Sequence, residues 1–124
     1  MEKTTYEGKR YNVGKLRMDL IPPEADLAIA RVLTQGSTKY GDRNWEKGMA
    51  VSTVLASLKR HLLAYEMGED LDDESGEPHL SHVLTNAAFL VTYFARGMDF
   101  TDNRPSTGVY NPVVKCVTKS EESK

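Results

Sequence analysis

Residues 60–86, RHLLAYEMGEDLDDESGEPHLSHVLTN, decide how this chain folds. They hold all three histidines, His61, His79 and His82. They also hold seven of the 18 acidic residues: Glu66, Glu69, Asp70, Asp72, Asp73, Glu74 and Glu77. An apolar pattern of helical period lies on either side. Upstream, Val51, Val54, Leu55, Leu58, Leu62 and Tyr65 fall on one helix face, which predicts a helix from about Val51 to Met67. Ser52 or Thr53 is suited to cap it and Gly68 to end it. Downstream, Pro78 opens a second helix that runs to Arg96, with Gly97 as its C-cap. That helix is apolar nearly all round, through Leu80, Val83, Leu84, Ala87, Ala88, Phe89, Leu90 and Val91, which is the pattern of a central, buried helix. Yet His79, His82 and Asn86, at i, i+3 and i+7, share one of its faces. Buried polar groups need partners, so this polar stripe facing an acidic turn reads as a metal or acid–base site.

Working outward, Pro22-Pro23 predicts the start of an earlier helix, with Glu24 and Asp26 at the positive end of its dipole. Leu27, Ala30, Val32 and Leu33 supply its apolar side, and Gly36 is expected to end or bend it. Residues 36–48, GSTKYGDRNWEKG, read as a loop. Trp45, the single tryptophan, serves there either as a lid on the core or as a flat surface for a base. Lys39 and Arg43 suit anionic groups and Asn44 a polar edge. Residues 1–21 read as a basic, extended arm in which Lys15 and Arg17 can reach a phosphate. Residues 98–124 read as an irregular tail, with VYNPVVKCV as one strand or an extended segment. The expected organisation is arm 1–21, helical catalytic core 22–97 and tail 98–124. The fold class is all-α. Three helices, one of them apolar all round, do not bury one another well alone, so an oligomer is expected to complete the bundle.

The 124 residues suffice for one core, with 40% hydrophobic and 27% charged residues. A net charge of −2 and a pI near 5.9 argue against direct nucleic-acid binding and against anionic membranes. The single Cys116 cannot form an internal disulfide, the first residues carry no signal-peptide pattern, and no run approaches ~20 apolar residues. A cytoplasmic protein is expected.

Two arrangements of the central stretch stay open. Glu66 and Glu69, with Asp70 and Asp73, could hold Mg²⁺ or Mn²⁺ against phosphate oxygens. Alternatively, His61, His79 and His82 with a carboxylate could hold Mn, Fe, Co or Zn. KLRMDLIPPEA, GSTKYGDRNWEKG and RHLLAYEMGEDLDDESGEPHLSHVLTNAAFL, in that order, resemble a largely phage-encoded family named for dATP/dGTP diphosphohydrolase activity, over roughly residues 9–96. That family is similar to the MazG-like all-α nucleoside triphosphate pyrophosphohydrolases, helical bundles that use Mg²⁺ and typically oligomerise. The resemblance implies a homodimer or homotetramer, located in the host cytoplasm if phage-encoded, that converts a (deoxy)nucleoside triphosphate, here a purine dNTP, to monophosphate and pyrophosphate. Glu66-x-x-Glu69 matches the first half of the MazG-like carboxylate pattern. His79-x-x-His82 stands where the second half would be. Together the two lines give Glu66, Glu69, His79 and His82 as catalytic candidates, and Glu66, Glu69, Asp70 and Asp73 as ligands of Mg²⁺ or Mn²⁺. Lys15, Arg17, Lys39, Asn44, Trp45, Arg60, His61 and Asn86 are the candidates for holding substrate. A protein that sequesters a nucleotide without turnover, and a His/Asp metal phosphohydrolase, are the alternatives.

Overall fold

The computed structural model describes residues 7–105, and they fold as three packed helices joined by turns. Helix α1 spans Pro23–Tyr40, α2 Val51–Glu66 and α3 His79–Ala95. Short 3₁₀ turns cover Met18–Leu20, Asn44–Lys47 and Asp99–Thr101. Among the described residues there is no strand, only an isolated bridge between Leu71 and Pro78. The VYNPVVKCV segment lies outside the described residues. No described helix is long and apolar enough to cross a membrane. Helix α3 packs against both α1 and α2, as its central place in the pattern predicts.

Helix α1 begins as expected, with Pro22 at the N-cap and Glu24 and Asp26 in the first turn. It does not stop at Gly36. A glycine inside a helix costs only about 1 kcal/mol, and the helix continues one more turn to Gly41, whose φ of 91° suits glycine and ends it. Lys39 therefore sits on the last helical turn rather than in a loop.

Helix α2 has the expected limits but a different start. Ala50 is its N-cap and offers no side-chain bond. Asn103, 51 residues on, accepts from the Ser52 amide at 2.9 Å and donates to Ser52 Oγ at 2.8 Å. So the capping function expected of Ser52 or Thr53 comes from a side chain brought back by the turn after α3. The buried stripe is also rotated from the expected one. Val51 and Val54 are buried and His61 and Ala64 face inward, while Leu62 and Tyr65 are exposed.

Helix α3 departs from the buried apolar cylinder its sequence suggests. Its buried residues are His79, Ser81, Thr85 and Tyr93. Leu80, Leu84, Val91 and Phe94, at i, i+4, i+11 and i+14, lie exposed on the other side, Phe94 at 88% and Val91 at 67%. The polar stripe faces the neighbouring helices, and the apolar stripe faces out. At its C-terminal end Tyr93 donates from its hydroxyl to the Trp45 carbonyl at 2.8 Å, fixing the 41–50 connection over the bundle end.

Candidate functional site

The three histidines come together at the crossing of α2 and α3. His61 projects from α2 toward His79 and His82, which stand one turn apart on α3. The His61 and His82 rings stack at 4.3 Å between centroids, 9° from parallel. His61 Nδ1 and His79 Nδ1 are 2.8 Å apart, and His79 Nε2 is 2.7 Å from Glu69 Oε1. His79 is the deepest of the three, only 4% exposed.

The acidic turn folds over this cluster and is well ordered by its own backbone. The Asp72 amide donates to Glu77 O at 2.8 Å, Gly76 to Asp72 O at 2.7 Å and His79 to Asp70 O at 2.8 Å. Gly76, at φ 75°, makes the reversal. This geometry turns Asp72 inward: its carboxylate accepts from the Ser75 amide at 2.9 Å and lies 3.9 Å from His82 Nε2. Ser75 Oγ is 2.7 Å from His82 Nε2. Gln35 of α1 holds the turn from the far side, donating to Ser75 O at 3.1 Å, and Lys39 Nζ pairs with Glu74 at 3.0 Å.

Electrostatics follow from this packing. Burial lowers the pKa of His61, and the neighbouring His82 adds to the effect. Burial likewise lowers His82, against the opposing pull of Asp72. Burial alone would raise the Asp72 carboxyl, but the Ser75 amide and hydroxyl and the two histidines outweigh it and hold it below its ordinary value. The wall therefore presents two uncharged imidazoles and an ionised carboxylate at neutral pH. One ligand atom from each of His61, Asp72 and His79 lies within 4.8 Å of the others, a His₂Asp set that can hold a divalent cation.

A cavity of about 830 Å³ opens from this cluster toward the 41–50 connection. Its walls are the second half of α1, the Asn44–Lys47 turn, and the facing sides of α2 and α3. Gly36 lines it with open space where a side chain would stand. Lys39, Asn44, Trp45, His61, His82 and Asn86 all line it. Asn86 donates to His82 O at 2.9 Å and Ser57 Oγ at 3.3 Å, which leaves its amide oxygen to accept. Trp45 stacks with Phe89 at 5.9 Å, 26° from parallel, and the Arg96 guanidinium lies 5.1 Å from its ring. It is thus both a cover for the core and a wall of the cavity.

Other candidates are not brought there. Lys15 and Arg17 lie on the exposed arm, where Arg17 pairs with Asp19 at 2.8 Å, and Arg60 is exposed on α2. Glu66, at the end of α2, and Asp70 and Asp73, on the turn, are exposed. Of the four carboxylates considered as metal ligands, Glu69 alone touches the cluster, through His79. Asp72, Ser75, Gln35 and Phe89 belong to the site and were not singled out from the sequence as site residues.

Comparisons with known proteins give the family. A dATP/dGTP diphosphohydrolase of Salmonella phage PMBT28 is 34% identical over 102 residues. The match covers 82% of this chain but 35% of the phage protein, so the chain spans about a third of that relative's length. No solved structure matches. The family model described as "dATP/dGTP diphosphohydrolase, N-terminal" matches residues 5–103, which encloses all three helices and the whole histidine-lined cavity, and the chain belongs to that family.

Proposed function

We propose that the chain is a metal-dependent hydrolase of deoxynucleoside triphosphates, dATP and dGTP foremost, that yields the monophosphate and pyrophosphate. The observation that carries this reading is a cavity that joins an aromatic and amide-lined end to a histidine and carboxylate end. Its volume of about 830 Å³ lies within the range of small-molecule sites. A purine fits against Trp45 and Phe89, with the Asn44 and Asn86 amides as partners for its polar edge. Lys39 and Arg43, which also line the cavity, meet the phosphates. His82, unprotonated at neutral pH because burial lowers its pKa, takes the proton of the attacking water, and the bond between the α- and β-phosphates breaks. A divalent cation, Mg²⁺ or Mn²⁺, supplies charge neutralisation on the phosphates. Glu69 bears on this end through His79, whereas Glu66, Asp70 and Asp73 require the turn to move before they reach it.

We assign the exposed stripe of α3 to contacts between copies, giving a homodimer or homotetramer in the host cytoplasm. Lys15, Arg17 and Arg60 then serve a neighbour's phosphates. The His₂Asp set also favours a second reading, a metal phosphohydrolase that releases triphosphate or inorganic phosphate. Incubation with each dNTP and NTP in Mg²⁺ or Mn²⁺, with chromatographic identification of products, separates the readings. Monophosphate plus pyrophosphate from dATP and dGTP is the expected result. Nucleoside plus triphosphate, or nucleoside diphosphate plus inorganic phosphate, supports the second reading, and tight retention without turnover overturns both.

A further inference from the structure

We propose that His61, His79 and Asp72 form a resident site for one borderline transition-metal dication (Mn²⁺, Fe²⁺, Co²⁺ or Zn²⁺) that excludes Mg²⁺, and that Glu69 is its positioning residue. This goes beyond the hydrolase reading and stands whether or not the chain turns over a triphosphate.

The donor set carries the inference. Mg²⁺ is hard, demands oxygen ligands and keeps much of its water, so two imidazoles and one carboxylate suit it poorly. The same set suits first-row transition metals, for which imidazole is a preferred ligand. The atoms are already gathered, within 4.8 Å of one another, and not spread along a solvated surface. His79 is 4% exposed and cannot find its partners in bulk water. Its Nε2 donates to Glu69, so its Nδ1 is the nitrogen turned toward the other donors. Histidine ligands commonly donate their second nitrogen to a carboxylate in this way, which fixes ring orientation and raises ligand basicity. His79 Nδ1 faces His61 Nδ1 at 2.8 Å, two ring nitrogens with one hydrogen between them. With the His61 hydrogen carried on Nε2 instead, both Nδ1 atoms offer a lone pair that a dication would take.

The other elements at this point hold the geometry without competing for the ion. The His82 ring lies flat on His61 and fixes its plane, while its own Nε2 is engaged by Ser75 Oγ. The Ser75 amide fixes the Asp72 carboxylate. Three protein ligands leave positions open for water or an oxygen ligand, as in catalytic metal sites.

The test uses the full chain, stripped with chelator and free of nucleotide. Equilibrium dialysis against Mn²⁺, Co²⁺, Zn²⁺ and Mg²⁺ with elemental analysis should find one transition-metal ion per chain, retained in a large excess of Mg²⁺. Bound Co²⁺ should show visible absorption bands of a nitrogen- and oxygen-ligated site. Asp72→Asn and His61→Ala should abolish stoichiometric binding. Glu69→Gln should weaken Co²⁺ by about 10- to 100-fold while the circular dichroism stays that of the parent. His82→Gln should keep a stoichiometry of one. If His61→Ala fails to fold, Asp72→Asn and Glu69→Gln, both on the turn, still decide. Absence of a stoichiometric ion, equal affinity for Mg²⁺, or undiminished binding in Asp72→Asn would overturn the proposal. The hydrolase reading is judged separately by products, so the failure of one is distinguishable from the failure of the other.

Discussion

Lowering pH should unfold the metal-free protein through its histidine stack. His61 and His82 both have pKa values lowered below the ordinary 6.5, chiefly by burial. The unfolded chain therefore binds more protons than the folded one in the interval below pH 6.5. Stability rises with pH through that interval and is lost as pH falls from 6.5 toward the folded values. The groups facing the stack do not cancel this. His79 and Arg60 lower His61 further, whereas Asp72 raises it. Asp72, Glu77 and Glu74 raise His82 without overcoming burial. Geometry sets the scale. Two imidazolium charges 4.3 Å apart repel by about 1 kcal/mol in water and about 4 kcal/mol at an effective dielectric of 20. The slope cannot exceed about 1.4 kcal/mol per pH unit for each histidine.

Urea unfolding in the presence of chelator at pH 7.5, 6.5 and 5.5 measures this directly. The midpoint should change little between 7.5 and 6.5 and fall clearly by 5.5. His82→Gln removes one titrating ring and the other's charged neighbour, so its loss over the same interval should be no more than half that of the parent. A flat midpoint from 7.5 to 5.5, or a fall of equal size in His82→Gln, would refute the reasoning.

Three further perturbations probe the frame. Gly48 sits at φ 94°, and a Cβ there would stand 2.7 Å from the Phe100 ring and 3.1 Å from Thr101 Cγ2. Gly48→Ala should therefore cost about 1–3 kcal/mol, read as a lower thermal midpoint. Asn103→Ala removes the distant cap of α2 and should cost about 1 kcal/mol, a drop of about 4–8 °C. Val91→Glu with Phe94→Glu changes two exposed side chains, so a lone chain would hardly notice. Light scattering should instead show a shift from an assembly to single chains, and an unchanged mass would count against α3 as the contact surface.

Periodicity located the helices because their apolar spacing is long and regular. It could not set the rotation of α2. Leu62 and Tyr65 belong to the apolar stripe by spacing, but His61 takes the inner position because its partners stand on α3. Gly36 misleads for a related reason: a helix with side-chain support tolerates one glycine, and the residue that must adopt positive φ is Gly41. The site itself was legible as a neighbourhood. The cavity gathers Lys39, Asn44, Trp45, His61, His82 and Asn86. The choice among carboxylates was not legible, since Asp70, Asp72 and Asp73 are alike in sequence. Backbone bonds from Asp72 to Glu77 and from Gly76 to Asp72 decide which one turns inward, and no helical or strand period encodes them.

The orientation of α3 links the candidate site to the proposed assembly. A helix with this many apolar side chains would, in an isolated bundle, bury Leu80, Leu84 and Phe94 and leave its histidines in water. Here it does the reverse, and Thr85 at 2% exposure is buried while Phe94 is not. Burying His79 and Thr85 is tolerable because each side chain has a partner: Glu69 and His61 for His79, and the Ser81 carbonyl, which accepts from Thr85 Oγ1 at 2.8 Å. The outward apolar stripe has no such compensation among the described residues. Each large apolar side chain left in water forgoes about 1.5–3 kcal/mol of burial. In the proposed assembly, an interior given to a polar site is offset by a surface given to a partner. The apolar periodicity of α3 thus marks the face that the proposed assembly would cover.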